Sequence, residues 1–270
     1  MFTISMTTGC QQQSSPYFGT VKPRHGPLEL WINNSSEPEW LDPGRCSDST
    51  GGEIIWNTFE GLVQAHPATL KPLPAIATHW DISDDGRVYR FYLRPSFWSD
   101  GHPLTADDFV FAFQRLVDPQ TGSKYASNGF IFQQGLAISR GEAAVNSLGV
   151  RALDSHTLEI ELVDPLPYFL NFLSFYSFMP IPQHLLQNLQ KRGIDQDLWT
   201  RPEHVVCNGA FRMTDWQFRQ HMTFEKNTKY WDAASVKLDC VRVAMVESST
   251  TAMNMYVAGE FDWPGGSTSL

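Results

Sequence analysis

Apolar and polar residues alternate in several short runs of the chain, and this alternation is typical of strands with one buried face. In the first run, Leu28, Leu30 and Ile32 fall on one side, with polar or amphipathic residues between them. The segment Asp84-Asp85-Gly86 precedes another run and is typical of a hairpin turn. Strands are predicted over residues 28–33, 87–94, 158–162, 211–216, 222–226 and 241–245, the fourth and fifth forming a hairpin.

Helical spacing of apolar residues appears in three other segments. Residues 53–63 carry an apolar stripe and predict a first helix. Thr105 followed by Asp108 is a capping-box pattern, and Asp118-Pro119 ends the helix that it begins. A third helix is predicted over residues 183–192, with Gly193 as its cap. Helices and strands intermix without a regular βα repeat, so a mixed α/β fold is predicted.

Length and composition restrict the class of protein. The 270 residues suffice for two domains or one large one, and 42% hydrophobic against 18% charged residues indicates a globular chain. A formal net charge of -9 disfavours nucleic acid as a partner, because an acidic surface repels phosphates. The nine Trp and 13% aromatic residues fit either a well-filled core or a cleft built for stacking.

Motifs of catalysis, metal binding and cofactor binding give no positive signal. The sequence has no GxSxG, HExxH, GxGxxG or glycine-rich phosphate loop. None of the eight His stands at a metal-ligand spacing from another, so neither a metal nor a cofactor is expected. The four Cys are too far apart for a CxxC pair, and one disulfide of unassigned pairing is compatible with their number. The absence of these motifs predicts that the chain is not an enzyme.

A series of short motifs in a fixed order covers residues 28–263. They are Leu41-Asp42-Pro43, Phe59-Glu60-Gly61-Leu62, Pro74-Ala75-Ile76-Ala77, Ser83-Asp84-Asp85-Gly86, Phe91-Tyr92-Leu93-Arg94, Trp98-Ser99-Asp100-Gly101, Pro103-Leu104-Thr105-Ala106-Asp107-Asp108-Phe109, Tyr125-Ala126-Ser127, Leu148-Gly149-Val150, Asn208-Gly209-Ala210-Phe211, Tyr230-Trp231 and Gly259-Glu260-Phe261-Asp262. Turn and cap chemistry explains most of them one by one, so they indicate a fold and do not mark a site. Together they resemble the bacterial extracellular solute-binding proteins, family 5, of oligopeptide and dipeptide ABC transporters.

This resemblance implies a periplasmic-binding-protein-like lobe with a smaller inserted α+β domain. Members of the family are roughly twice as long, so the chain is expected to be the N-terminal half, without the second ligand-binding lobe. Residues 28–59 and 184–270 are expected to form the first lobe, with 60–183 inserted and 1–27 as a signal remnant or tether.

The resemblance also implies candidate ligand-binding residues. In peptide-binding members the ligand pairs through its main chain with a segment after the Leu-Asp-Pro motif, which allows broad specificity. Counting forward places Ser47, Asp48 and Ser49 there, and a plain polar loop is the competing interpretation. Tyr125 matches a ligand-contacting Tyr, with a half-buried packing residue as the alternative.

Asn208 and Gly209 are two further candidate residues, and Asp48 differs from the family pattern. Asn208 and Gly209 are expected near the surface between the lobes. Asp48 stands where a small residue is usual, so it would favour a cationic ligand or a free amine, or would simply be solvated.

Cys10 is a candidate lipid-attachment residue, because small residues precede it and a polar run follows it. The match to a lipoprotein cleavage site is partial, since Thr7 replaces the usual Leu and no basic residue precedes Cys10. An ordinary N-terminal Cys is the alternative. Export to the periplasm or to the outer face of the membrane, with a lipid tether, is the prediction.

The function implied is capture of peptides for delivery to an ABC permease and its ATPase. The same fold would also suit a nickel chelate, haem or an oligosaccharide. A ligand-sensing domain of a transcriptional regulator ranks below these, because only a short polar segment precedes Leu28 and the charge is acidic. A hydrolase is disfavoured by the absent motifs.

Overall fold

The computed structural model describes residues 28–265, which contain both predicted classes of element. The strands are β1 (Glu29–Asn33), β2 (Val63–Ala65), β3 (Pro72–Pro74), β4 (Ala77–Ile82), β5 (Val88–Leu93), β6 (Ser96–Phe97), β7 (Pro103–Leu104), β8 (Val150–Asp154), β9 (Thr157–Glu161), β10 (Phe211–Gln217), β11 (His221–Lys226) and β12 (Cys240–Ala244). The helices are α1 (Ser49–Thr58), α2 (Ala106–Val117), α3 (Gly135–Ser139), α4 (Phe169–Phe172), α5 (Gln183–Lys191) and α6 (Ser249–Val257), with short 3₁₀ turns between several of them. The six strands predicted from alternation are confirmed, with ends that differ by a residue or two.

One four-stranded sheet joins the two ends of the described chain in the order β1-β12-β11-β10. The central part of this sheet is antiparallel, and β10 and β11 form the predicted hairpin. β1 runs parallel to β12, with Glu29 opposite Cys240 and Asn33 opposite Ala244. A strand from the start of the chain is thereby fixed against one that follows about 200 residues later.

The second four-stranded sheet is formed entirely by the middle of the chain, in the order β4-β5-β9-β8. All its neighbouring strands are antiparallel. The predicted turn at residues 84–86 connects β4 to β5, and Gly86 adopts a φ of 70°, which glycine accepts without strain. Two-stranded ribbons, β2-β3 and β6-β7, lie outside this sheet.

The helix predictions are confirmed for two helices and corrected for the first. α2 begins at Thr105 with the predicted capping box to Asp108. α5 covers Gln183–Lys191, close to its predicted range. The first helix begins earlier than the predicted Glu53, because Asp48 caps it, and it ends at Thr58. Val63, predicted as its last residue, instead begins β2.

Two hydrophobic cores lie on either side of α1. The larger core contains the inner face of the middle sheet and α2, together with Ile55 of α1. The smaller core lies on the terminal sheet and takes up the neighbouring Ile54. Leu186, Leu189 and Trp199 also pack in the larger core, although they belong to the second part of the predicted first lobe. The division into 28–59 with 184–270 and an inserted 60–183 stays a prediction.

Three of the four Cys lie in the described part of the chain, and Cys46, Cys207 and Cys240 are free thiols. Cys10 and the predicted tether over residues 1–27 lie outside the described residues. Between residues 28 and 265, no helix has both the length and the apolar character that a membrane crossing needs.

Candidate functional site

The segment Ser47–Ser49 leads directly into α1, and Asp48 is the residue that starts the helix. Oδ1 of Asp48 accepts hydrogen bonds from the Gly51 backbone N–H and from the Thr50 hydroxyl, both at 2.6 Å. A helix has unpaired N–H groups at its start, and a carboxylate at the cap position satisfies one of them. The unusual Asp at this position therefore has a structural role, while Ser49 is exposed and Ser47 half-buried.

Two glycines in the first turn of α1 allow it to approach its neighbours closely. A Cβ on Gly51 would lie 2.7 Å from Sγ of Cys46, and one on Gly52 would lie 2.6 Å from the ring of Tyr176. Neither separation is compatible with a side chain unless the neighbour moves. The start of α1 is thus fitted against the ring of Tyr176.

Four aromatic side chains, Trp56, Tyr125, Phe175 and Tyr176, form what we call the aromatic cluster. Trp56 meets Tyr176 edge to face at 5.5 Å, and Tyr125 meets Phe175 edge to face at 5.2 Å. Phe175 and Tyr176 stack on each other at 4.2 Å. Aromatic pairs in such orientations add stabilisation beyond their buried area. The cluster holds its rings in fixed orientations beside α1.

Tyr176 connects the two halves of the predicted site. Its ring packs against Gly52 and meets the ring of Tyr125 edge to face, with centroids 6.0 Å apart. Burial, followed by the neighbouring Cys46 and Tyr125, raises the pKa of Tyr176 above its ordinary value, so the phenol stays protonated. The fold therefore brings the start of α1 and Tyr125 together, although they are far apart in sequence.

Asn208 and Gly209 form a second close contact with the end of α1. The Asn208 side chain is buried, accepts from the Glu60 N–H at 3.1 Å and donates to the Glu60 carbonyl at 2.8 Å. The Gly209 N–H donates to the Thr58 carbonyl at 2.9 Å, and a Cβ there would lie 2.6 Å from the Thr58 carbonyl carbon. This contact ties β10 to the chain just after α1. A ligand role for the two residues stays a prediction.

The Glu60 side chain is buried beneath this contact. Its two oxygens accept hydrogen bonds from the Tyr230 hydroxyl and from Nε1 of Trp231. Burial raises the pKa of Glu60 above its usual value, and the two hydrogen bonds reduce this effect without cancelling it. Arg94 stacks over the Trp231 ring at 3.4 Å, which places a cation near the carboxyl group. The network holds Glu60 and Tyr230 in place, and both side chains line an open cleft beside α1.

Trp56 and Asn57 separate two open clefts. The first, of about 360 Å³, lies between α1 and the terminal sheet and is lined mainly by apolar side chains such as Ile32, Phe224 and Val241. The second, of about 420 Å³, is lined by Glu60, Gly209 and Tyr230 among others. Gly209 is thus a predicted site residue on a cleft wall. Both volumes are in the range of small-ligand sites.

Sequence reasoning missed Trp56 as a candidate residue. Its side chain is 49% exposed, and Nε1 donates to the Ser174 carbonyl at 3.2 Å. Trp56 lines both clefts, which makes its exposed ring a candidate contact surface. The sequence has an aromatic run over residues 169–178, which includes Phe175 and Tyr176. That this run packs against Trp56 could not be deduced without the fold.

Three side chains able to bind a metal meet elsewhere, on the surface formed by the β6–β7 turn and the start of α5. They are Asp100, His102 and His184. The sequence places His184 84 residues after Asp100, so local spacing gave no sign of this group.

Solved structures identify the fold. The chain superimposes on Haemophilus influenzae OppA in complex with the peptide RPPGFSPFR, with a TM-score of 0.82 and 31% sequence identity over 87% of this chain and 45% of that one. Listeria monocytogenes OppA bound to peptide gives a TM-score of 0.82 and 30% identity over 88% of this chain and 46% of the other. The fold is therefore that of a periplasmic-binding-protein-like lobe, as the sequence resemblance implied.

Sequence comparison gives the family. The model of the bacterial extracellular solute-binding proteins, family 5 Middle, matches residues 71–269, and the chain belongs to this family. It is 39% identical over 92% of its length to the probable deoxycholate-binding periplasmic protein YgiS of Escherichia coli. It is 35% identical over 90% of its length to the oligopeptide-binding protein OppA of Bacillus subtilis. It covers 46% and 44% of these two proteins, so it spans about half the length of the relatives it matches.

Proposed function

We propose that this chain forms one wall of a peptide-binding cleft in the substrate-binding component of an ABC transporter. The observation that carries the proposal is the contact of the aromatic cluster with the glycine-rich start of α1. It combines the exposed ring of Trp56 and the half-buried rings of Tyr125 and Phe175 with the main chain of Ser47–Ser49, as a broad peptide binder requires.

Two kinds of contact would hold the peptide. The backbone of Ser47–Ser49 would pair with the peptide main chain, which is common to all peptides. Trp56 and Tyr125 would contact peptide side chains of varied shape through flat, partly polar rings. Oδ1 of Asp48 is already occupied by the helix cap, so any attraction for a peptide amino group would act through the remaining oxygen.

Affinity would also depend on a second wall. Two-lobe binders close over a ligand and bury most of its surface, and a single wall leaves one side of the peptide in water. The partners of the charged peptide ends also contribute orientation and energy. The 270 residues alone should therefore bind peptide weakly.

Titration calorimetry with a random pool of short peptides tests this function. We expect weak saturable binding to the 270-residue chain and tighter binding to a version extended by a second lobe to its relatives' length. Tyr125→Ala in the extended version should lower affinity by about 2- to 12-fold, since one aromatic contact contributes about 0.5–1.5 kcal/mol. Phe218→Ala is the control, because it removes an exposed ring from the β10–β11 turn.

The outcomes separate the site from the need for a second wall. Equal micromolar affinity in the short and extended versions would show that one wall is sufficient. Peptide affinity that is unchanged by Tyr125→Ala would remove the aromatic cluster from the site.

A bile-salt ligand is a second candidate, favoured by the 39% identity to a protein named as probably deoxycholate-binding. The apolar cleft beside Trp56 would suit a rigid amphipathic molecule. Deoxycholate should be titrated beside the peptide pool. Saturable deoxycholate binding without peptide binding would favour this alternative.

Export, anchoring and the partners of transport belong to the same proposal. A binding component acts outside the cytoplasm and delivers its ligand to a permease and an ATPase without chemical turnover. The lipid anchor would be Cys10, and labelled-lipid incorporation in cells tests it. Label that persists in Cys10→Ala would exclude the anchor, and a recovered ligand that is chemically altered would contradict a purely binding role.

A further inference from the structure

Asp100, His102 and His184, which we call the Asp-His cluster, converge on one carboxylate oxygen. Nε2 of His184 lies 2.7 Å and Nδ1 of His102 lies 3.0 Å from Oδ2 of Asp100. The two imidazole rings stack, with centroids 4.1 Å apart. One ligand atom from each of the three residues lies within 4.8 Å of the other two.

The loop that carries Asp100 and His102 has a fixed geometry. Both residues lie in the turn between β6 and β7, where Gly101 has a φ of 91° that favours glycine. Oδ1 of Asp100 accepts a hydrogen bond from the His102 backbone N–H at 3.0 Å. That bond orients the carboxylate and leaves Oδ2 facing the two rings.

The helix that carries His184 is tied to the same turn through Asp108. The Asp108 carboxylate accepts from Nε1 of Trp98 at 3.2 Å and from the Gln183 backbone N–H at 3.2 Å. Trp98 is fully buried, and its ring lies 6.4 Å from that of His184. The start of α5 and the β6–β7 turn are therefore held in register by a buried contact, which preorganises the cluster.

We propose that the Asp-His cluster is a binding site for a transition-metal dication such as Zn²⁺. Two imidazoles and one carboxylate form a set of donors that Zn²⁺ and its neighbours in the series accept. Around such an ion the donor atoms would lie about 3.0–3.4 Å apart. The two N···O distances of 2.7 and 3.0 Å would have to widen slightly, and the two ring nitrogens, which lie within 4.8 Å of each other, would have to reach the same spacing. The side chains of Asp100, His102 and His184 are 30%, 60% and 28% exposed, so water can fill the remaining positions.

Charge and accessibility favour the ion over a purely structural role for the cluster. The Asp100 carboxylate bonds His184, and the Asp108 carboxylate accepts from the backbone N–H of the preceding residue, Gln183, so two acidic groups lie at the start of α5. His102 stacks on the His184 ring, but most of its side chain faces solvent. A surface His held over another His by a single shared carboxylate gives little stability to the fold. The site does not depend on the proposed function, because it shares no residue with the aromatic cluster.

Zinc binding by the full 270-residue chain tests the proposal. The chain is purified without a polyhistidine tag, stripped with EDTA and titrated with Zn²⁺ against a chromogenic chelator. We expect about one tightly bound equivalent. His102→Ala should weaken binding by at least about tenfold, since even the loss of an outer partner of a metal ligand costs 10- to 100-fold. His102 is exposed, so this variant should fold normally.

His221→Ala is the matched control. His221 faces Asp215 at 3.4 Å and forms an ordinary Asp–His pair outside the cluster, so its removal should leave zinc affinity unchanged. Thermal unfolding gives a second measurement, because Zn²⁺ should raise the Tm of the unchanged chain and of His221→Ala but not that of His102→Ala. Equal zinc affinity in the unchanged chain and His102→Ala, or no saturable binding by the unchanged chain, would overturn the proposal.

Discussion

At the scale of single residues, the most informative side chain is Asp48. The family resemblance implies that Asp48 contacts a charged ligand, whereas the structure shows that Asp48 is the N-cap of α1. Its carboxylate is bonded to Thr50 and Gly51 and thereby sets the position of the first turn of α1. A residue that departs from a family pattern can serve local folding and still lie in the segment proposed to bind the ligand.

We predict that Asp48→Ala lowers the free energy of unfolding by about 0.5–2 kcal/mol, the usual cost of losing an N-cap. Asp48→Asn is the matched control, because Asn caps a helix nearly as well and removes only the charge. Urea unfolding of both variants measures the difference. Equal stability of Asp48→Ala and the unchanged chain would show that the cap contributes little.

At the scale of elements, α1 is the connection between the two cores and the candidate site. Its neighbouring residues Ile54 and Ile55 belong to different cores, and its first turn contacts Tyr176. Any displacement of α1 would therefore be transmitted to the aromatic cluster. The position of this helix depends on how closely Gly52 can approach its neighbour.

We predict that Gly52→Ala destabilises the protein by about 1–3 kcal/mol, the usual cost of an overpacked core. The added methyl would lie 2.6 Å from the Tyr176 ring, which is almost fully buried. The ring would be displaced, and Tyr125 with it. Calorimetric unfolding measures the loss of stability. Gly122→Ala is the comparison variant: an added Cβ there would meet no atom within 4 Å, so any loss would come from the positive φ and not from a clash. A Gly52→Ala chain as stable as the original would contradict this packing.

Local patterns identified about half of the strands and helices, because alternation and capping depend on neighbouring residues. The capping box from Thr105 to Asp108 is an example that is confirmed in full. The predicted start of α1 is too late, because the Gly51-Gly52 pair lowers helix propensity. The close contacts with Cys46 and Tyr176 that require these two glycines become visible only in the fold. The Asp-His cluster and the role of Trp56 depend on contacts between distant segments, which no local pattern records.

At the scale of the whole molecule, Asp42 links three distant parts of the chain. Its carboxylate accepts from Arg115 and from Nε1 of Trp199, both at 2.9 Å, and from the Gly44 N–H at 2.8 Å. Burial by itself raises the pKa of Asp42, but Arg115 and the hydrogen bonds outweigh it and lower the pKa below the usual value. The folded state therefore favours the ionised form.

This shift predicts how stability depends on pH. A carboxyl with a lowered pKa in the folded state stabilises the fold above its unfolded value, about 3.9, and loses this contribution as pH falls through the folded pKa. Asp42→Asn should cost about 3–5 kcal/mol at pH 7, because Arg115 is left without its charge partner. The difference from the unchanged chain should narrow below about pH 4.

Urea unfolding at several pH values measures this dependence. Asp84→Asn, at an exposed turn, is the control and should change stability little at any pH. A difference between Asp42→Asn and the unchanged chain that stays constant down to the most acid pH would contradict the assignment.

The parallel pairing of β1 with β12 has a consequence for biosynthesis. The strand at residues 29–33 leaves the ribosome long before its partner at residues 240–244 exists. At ordinary translation speeds of 5–20 residues per second the delay is about 10–40 s, whereas the antiparallel middle sheet can assemble within that interval. Until β12 arrives, β1 is an unpaired apolar edge that is open to incorrect association. We therefore expect a chaperone to bind the nascent chain at β1.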